Sequence, residues 1–134
     1  TLKGVEYYDD SFSSAPPATK VAVASFAKPV ILIAGGYDRG LDYDSLAEYL
    51  KTQTHIKKIL LIGQTKEIIS LSLKKHGLEQ FEIMDDNLET AVKRAQLLAK
   101  EGDVVIFSPG CASFDMFKNF VERGEKFQKI VKSL

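Results

Sequence analysis

Tryptophan is absent from this chain of 134 residues, and cysteine occurs once, at Cys111. A single cysteine excludes a disulfide framework within the chain and fits a reducing compartment. The two histidines, His55 and His76, lack metal-ligand spacing. Neither charge sign is in excess, with 18 Lys and Arg against 18 Asp and Glu. That balance argues against a nucleic-acid partner or a membrane surface, where a basic surplus is expected. No apolar run approaches the roughly 20 residues that a membrane helix needs. The start, Thr1-Leu2-Lys3-Gly4, has no methionine and none of the features of a signal peptide. It reads as the beginning of a fragment of a longer protein. Both common phosphate-binding signatures, Gly-x-x-x-x-Gly-Lys-Ser/Thr and Gly-x-Gly-x-x-Gly, are missing. Gly35 to Gly40 has the spacing of the first but continues Leu41-Asp42. The chain is therefore not expected to hold a nucleoside triphosphate alone.

What is present suits one domain with a real core, since a chain of this size buries roughly two thirds of its unfolded surface. Gly4 to Asp9 reads as a strand rich in β-formers. Pro16-Pro17 opens a helix that runs to about Phe26, because a first turn tolerates proline. Val30-Ile31-Leu32-Ile33, Ile59-Leu60-Leu61-Ile62 and Val104-Val105-Ile106-Phe107 are uninterrupted apolar runs. Such runs mark strands buried on both faces of a parallel sheet. Phe81 to Met84 is a further, short strand. Helices are expected around Ser45 to Lys51, after a capping Thr65, after an Asp86-x-x-Glu89 capping box, and at the chain end. The helix after Thr65 stops at Lys74-Lys75-His76-Gly77, cations followed by glycine. In the last helix Phe117, Phe120, Val121, Phe127, Ile130, Val131 and Leu134 keep helical spacing, and Gly124 is a candidate break. The β/α alternation predicts a Rossmann-like, three-layer α/β domain with a mostly parallel sheet of about six strands.

Ligands of such sheets bind beyond the carboxyl ends of the strands, which directs attention to three loops. Asp9 to Ala15 carries Asp9, Asp10 and three serine hydroxyls; paired aspartates hold a metal or, more often, cap turns. Gly35 to Asp42 frames Arg39 between glycines. Its guanidinium suits a bidentate carboxylate, and the competing reading is a solvated Arg–Asp pair on a turn. Ser108 to Asp115 puts small residues between a buried strand and a helix. Ser113 and the helix-start N–H groups there suit an anion, or Ser113 merely caps the helix. Cys111 has no histidine beside it in sequence and is not expected to be a nucleophile.

Ser108-Pro109-Gly110-Cys111-Ala112-Ser113-Phe114-Asp115-Met116-Phe117-Lys118-Asn119-Phe120, with Arg123-Gly124 and Phe127, resembles the signature of the UDP-N-acetylmuramoyl-L-alanine:D-glutamate ligases, a branch of the Mur ligases. Gly35-Gly36-Tyr37-Asp38-Arg39-Gly40 resembles their Gly-Gly-x-x-Lys-Gly loop. Tyr8 to Ala15 lies where they carry Asn-Asp-Ser-Lys-Ala-Thr-Asn, with Phe12 in place of the lysine and Ala15 in place of the last asparagine. The resemblance covers essentially the whole chain. It implies the C-terminal, amino-acid-binding domain of a cytoplasmic three-domain enzyme of peptidoglycan precursor synthesis. The N-terminal domain would bind UDP-N-acetylmuramoyl-L-alanine, and the central one ATP and magnesium, both ahead of Thr1. ATP would phosphorylate the precursor's carboxylate, and the amine of D-glutamate would attack the acyl phosphate. By position, the resemblance gives Arg39, Ser113, the Phe114 backbone, Phe120 and Ser14 to the D-glutamate site. It gives Asp10 to the face toward the nucleotide, and no metal to this domain. The competing reading is a stand-alone small-molecule or protein-binding module derived from the same family.

Overall fold

The computed structural model describes residues 2–38, 40–84, 87–111, 117 and 119–134. Five strands and five helices alternate: β1 Glu6–Asp9, α1 Pro16–Ala24, β2 Val30–Ala34, α2 Asp44–Lys51, β3 Ile56–Leu61, α3 Lys66–Lys75, β4 Phe81–Ile83, α4 Leu88–Leu98, β5 Val104–Phe107 and α5 Phe120–Lys132. The strands form one sheet in the order β1-β5-β2-β3-β4, and every pairing is parallel. The expected three-layer domain is present, but the sheet has five strands among the described residues, not about six.

The apolar runs are buried as read. Every residue of β2 and β5 is buried, and alternate side chains go to opposite faces. Val30, Leu32, Ile59, Leu61, Val104 and Ile106 pack under α1, α2 and α3 through Val23, Leu46, Leu50, Ile69 and Leu73. Ile31, Ile33, Leu60, Ile62, Val105 and Phe107 pack under α4 and α5 through Leu88, Val92, Ala95, Phe127 and Ile130. No helix among the described residues is long and apolar enough to cross a membrane.

Several boundaries differ from the sequence reading for local reasons. β1 begins at Glu6, because Lys3 and Gly4 adopt positive φ and a short bridge joins Leu2 to Val5. α1 ends at Ala24 rather than Phe26. Thr65 does not cap α3 with its side chain. Its Oγ1 instead accepts from the Gly36 N–H at 3.0 Å, across the end of the sheet. The cap of α4 is Asn87, whose Oδ1 accepts from Glu89 N at 2.8 Å; Asp86 of the expected box lies outside the described residues. Gly124 does not break α5, which runs unbroken from a cap at Asn119, with Phe117 left ahead of it.

Because β1, β5 and β2 are neighbours, the loops that follow them converge on one edge. Two glycines set this edge. Gly35 has φ +116° and leaves β2 so close to β3 that an added Cβ would lie 2.0 Å from the Ile62 carbonyl oxygen. Only glycine fits there. Gly124 lets α5 approach β1, with the place of a Cβ only 2.7 Å from Asp9 Oδ2.

Candidate functional site

The first loop is held down by its own polar groups. Asp9 Oδ1 accepts from Ser11 N at 2.9 Å, and Oδ2 accepts from Gln128 Nε2 of α5 at 2.6 Å. Asp10 Oδ2 accepts from the Ser108 hydroxyl at 2.7 Å and from the Ser13 hydroxyl. The Ser13 carbonyl accepts from Gly110 N at 2.9 Å, which fastens this loop to the one after β5. Ser14 is half-buried, and its hydroxyl donates to the Phe12 carbonyl at 3.3 Å.

The second loop is tied at both ends. Gly35 N donates to the Pro109 carbonyl at 2.8 Å, and Thr65 N donates to the Gly36 carbonyl at 3.0 Å. Asp38 N donates to Gln64 Oε1, and Asp38 Oδ1 accepts from Gly40 N, both at 2.8 Å. Arg39, between them, lies outside the described residues.

In the third loop Ser113 and Phe114 also lie outside the described residues. Cys111 is fully buried. Its Sγ sits 3.0 Å from the Tyr43 hydroxyl and 3.3 Å from Thr65 Oγ1, so the thiol is packed among polar groups of the sheet edge. His55 is remote, at the start of β3 against the Val23 carbonyl, and His76 lies 4.0 Å from Asp44.

Phe12 is 74% exposed, and its ring stands between two open clefts. One, of about 240 Å³, is lined by Asp9, Ser11, Phe12, Phe120, Val121, Gly124, Glu125 and Gln128. The other, of about 390 Å³, lies between the first loop and α1 and is lined by Asp10, Phe12, Ser13, Ala18, Val21, Ala22 and Ser25. The structure thus places Phe120 on one side of Phe12 and Asp10 on the other. The described lining of the first cleft offers two carboxylates and no cation, so a dicarboxylate needs its charge partner from elsewhere.

Sequence reasoning gave no role to Arg123, which is 1% exposed. Its Nε donates to Ser11 Oγ at 3.0 Å and one terminal nitrogen to the Cys111 carbonyl at 2.8 Å. The other donates to the Ser11 carbonyl. The guanidinium lies 6.0 Å over the Phe107 ring. The signal was in the phase of α5: residue 123 falls on the same stripe as Phe127 and Ile130, both buried.

The carboxylates held below their ordinary range are structural and lie outside these loops. Arg94 grips Glu82 in bidentate fashion at 2.8 and 2.9 Å and lowers its pKa. Lys28 does the same for Glu6, and Lys75 for Asp44. Burial pushes Asp103 up, but Lys57 at 2.7 Å and the Lys100 N–H outweigh it, and the net shift is downward.

The sequence model described as Mur ligase, glutamate ligase domain, matches residues 1–111. The chain belongs to the Mur ligase family. Relatives of this Mur ligase domain include the UDP-N-acetylmuramoylalanine–D-glutamate ligase of Lactobacillus delbrueckii subsp. bulgaricus, 46% identical over 134 residues and all of this chain. The enzyme of that name from Clostridium botulinum is 47% identical over 137 residues and 99% of this chain. The chain spans 28% and 30% of their lengths, respectively. Among solved structures, the MurF ligase of Thermotoga maritima in complex with ADP aligns with a TM-score of 0.62 at 17% identity. That alignment covers 99% of this Mur ligase domain and 29% of the other chain. The UDP-N-acetylmuramate–alanine ligase MurC of the same organism gives 0.58 at 12% identity, over 98% and 27%. At these identities the two structures speak for the shared fold alone.

Proposed function

We propose that this domain presents D-glutamate to an activated carboxylate in an ATP-dependent, amide-forming ligase of peptidoglycan precursor synthesis, at work in the cytoplasm. The observation that carries the reading is the 46–47% identity, along essentially the whole chain, to enzymes named for that ligation. The domains that would bind UDP-N-acetylmuramoyl-L-alanine and ATP belong to the rest of such an enzyme. In the reaction the precursor's carboxylate takes the γ-phosphoryl group of ATP and ADP leaves. The amine of D-glutamate then forms a C–N bond to the carbonyl carbon, the C–O bond to phosphate breaks, and the ammonium's protons go to solvent or base.

This chain's share is to bind and orient. Arg39 supplies fixed charge for a D-glutamate carboxylate, and Ser14, Ser113 and the Phe114 N–H supply polar contacts. Phe120, 47% exposed at the first turn of α5, covers the acceptor's methylene carbons. Both anchoring bonds of Asp10 use Oδ2. Those bonds leave Oδ1 as the oxygen with which Asp10 would meet the nucleotide. The described residues of this domain do not fit magnesium, which the family implies. Among the described residues no three His, Cys, Asp or Glu side chains gather, and Asp9 and Asp10 are occupied by protein donors.

The test is the full-length enzyme with UDP-N-acetylmuramoyl-L-alanine, ATP and D-glutamate, read by labelled amino acid in the product and by phosphate release. One amide per ATP, lost without D-glutamate, is the expected result. Absence of ligation with D-glutamate, or equal use of non-acidic amino acids, overturns the reading.

A further inference from the structure

Arg123 is the bulkiest fully buried side chain among the described residues. Taking a guanidinium out of water is costly unless its donors are satisfied, and packed apolar residues often replace buried charges without loss. A sheet and five helices therefore do not need an arginine here. What the side chain does is connect. Three hydrogen bonds leave its own helix and end on two loops, at the Ser11 hydroxyl and carbonyl and at the Cys111 carbonyl. Ser11 is itself tied to α5, its hydroxyl donating to the Phe120 carbonyl at 2.7 Å. From Cys111 the path continues through Sγ to Thr65 Oγ1, which accepts from Gly36 N in the loop after β2. One buried polar path therefore joins all three loops of the carboxyl edge.

We propose that Arg123 is a positioning residue for the acceptor amino acid, a buried clamp that holds the three loops in register before substrate arrives; this rests on the ligase reading above. Only a planar fork with donors on both edges can reach Ser11 and Cys111 together, and a lysine ammonium is a point donor. The loops so clamped carry Ser14, Arg39 and Ser113, so slack in the clamp falls on D-glutamate.

The experiment uses the full-length enzyme with Arg123→Lys and Arg123→Ala. Arg123→Lys is expected to lower kcat/KM for D-glutamate by about tenfold to hundredfold, the order that a misplacement of about 1 Å produces. Most of the loss should lie in KM for D-glutamate, with KM for UDP-N-acetylmuramoyl-L-alanine unchanged. Millimolar guanidinium, but not equal ammonium, should restore part of the activity of Arg123→Ala by refilling the cavity. If Arg123→Ala does not accumulate as folded protein, Arg123→Lys and Ser11→Ala carry the test. Unchanged D-glutamate kinetics in Arg123→Lys, or a fall in melting temperature alone, overturns the proposal. Hydrogen exchange keeps it separate from the ligase reading. In Arg123→Lys the amides of Ser13, Gly36 and Gly110 should exchange faster while those of β2 and β3 do not. If wild type fails to ligate D-glutamate, the functional reading falls and this exchange still decides the clamp; unchanged exchange refutes it.

Discussion

Replacing Gly124 by alanine sets two effects of similar size against each other. Within a helix interior alanine is favoured over glycine by about 1 kcal/mol. Residue 124 lies well inside α5, so propensity alone predicts a more stable protein. The structure opposes this. The new Cβ would lie 2.7 Å from Asp9 Oδ2, 3.2 Å from Oδ1 and 3.2 Å from Ser11 Cβ. The carboxylate has little freedom to yield, since Ser11 N and Gln128 Nε2 hold its two oxygens at 2.9 and 2.6 Å. Ser11 is gripped in turn by Arg123. Overpacking of one methyl group against a fixed neighbour costs about 1–3 kcal/mol. The balance is a net destabilisation of about 1 kcal/mol, and a fall in Tm of roughly 3–6 °C for a domain of this size. Urea unfolding and calorimetry of wild type and Gly124→Ala measure it. The same substitution in an Asp9→Ala background should recover most of the helix gain, a coupling of about 1–2 kcal/mol. A higher Tm for Gly124→Ala alone would show that α5 can move outward freely, and that glycine is not there to admit Asp9.

Three further outcomes are expected. Arg39→Ala in the full-length enzyme should cost about 1.5–3 kcal/mol, the range for a hydrogen bond to a charged group, or roughly tenfold to hundredfold in kcat/KM for D-glutamate; unchanged kinetics would remove Arg39 from the site. Arg94 holds Glu82 below its ordinary pKa near 4.5, so the ion pair stabilises the fold above that value and its contribution is lost as pH falls through the lower folded pKa. Glu82→Gln should therefore be less stable than wild type at pH 7 and converge with it toward pH 3, as urea midpoints would show; parallel curves would refute the assignment. Gly35→Ala, whose Cβ would meet the Ile62 carbonyl at 2.0 Å with φ at +116°, should cost at least about 3 kcal/mol and leave little folded protein, which circular dichroism reads directly.

Most of the architecture was legible because the strands are uninterrupted apolar runs and few arrangements bury such runs on both faces. Where the reading failed, a contact distant in sequence had overridden a local preference. Thr65 has the right identity for a cap, but its hydroxyl is claimed by Gly36, 29 residues away. Gly124 reads locally as a break and is a close approach to β1. The cap of α4 is the local exception: Asn87 accepts from Glu89 N two residues on, and Asp86 lies outside the described residues. Five runs in the chain have strand character, and among the described residues they make five strands, not the expected six or so. Of the proposed site, Asp10, Ser14 and Phe120 fall on the expected edge, separated by the exposed Phe12. Arg39, Ser113 and Phe114 lie outside the described residues and rest on the family pattern.

The buried polar residues gather at one edge of the sheet, an observation independent of any relative. Burial of a polar side chain is unfavourable unless it is hydrogen-bonded, so a fold concentrates such groups where something besides the core is being shaped. Among the described residues eight polar or charged side chains are buried: Ser11, Ser13, Thr19, Thr65, Ser70, Asp103, Ser108 and Arg123. All but Ser70 and Asp103 meet at the carboxyl end of the sheet. Thr19 and Ser108 bond to each other at 3.2 Å, Ser108 continues to Asp10, and Arg123 holds Ser11. Such a network stiffens loops whose backbones would otherwise move freely, at a cost in stability that an apolar filling would avoid. The cost is rational where loop geometry must be fixed to a fraction of an ångström, as the proposed attack of an amine on an acyl phosphate would require. Phe12 fits this division of labour. It projects from a loop whose anchors are all polar, with Ser11 and Ser13 buried, so a change of side chain there alters what the edge meets without altering how the edge is held.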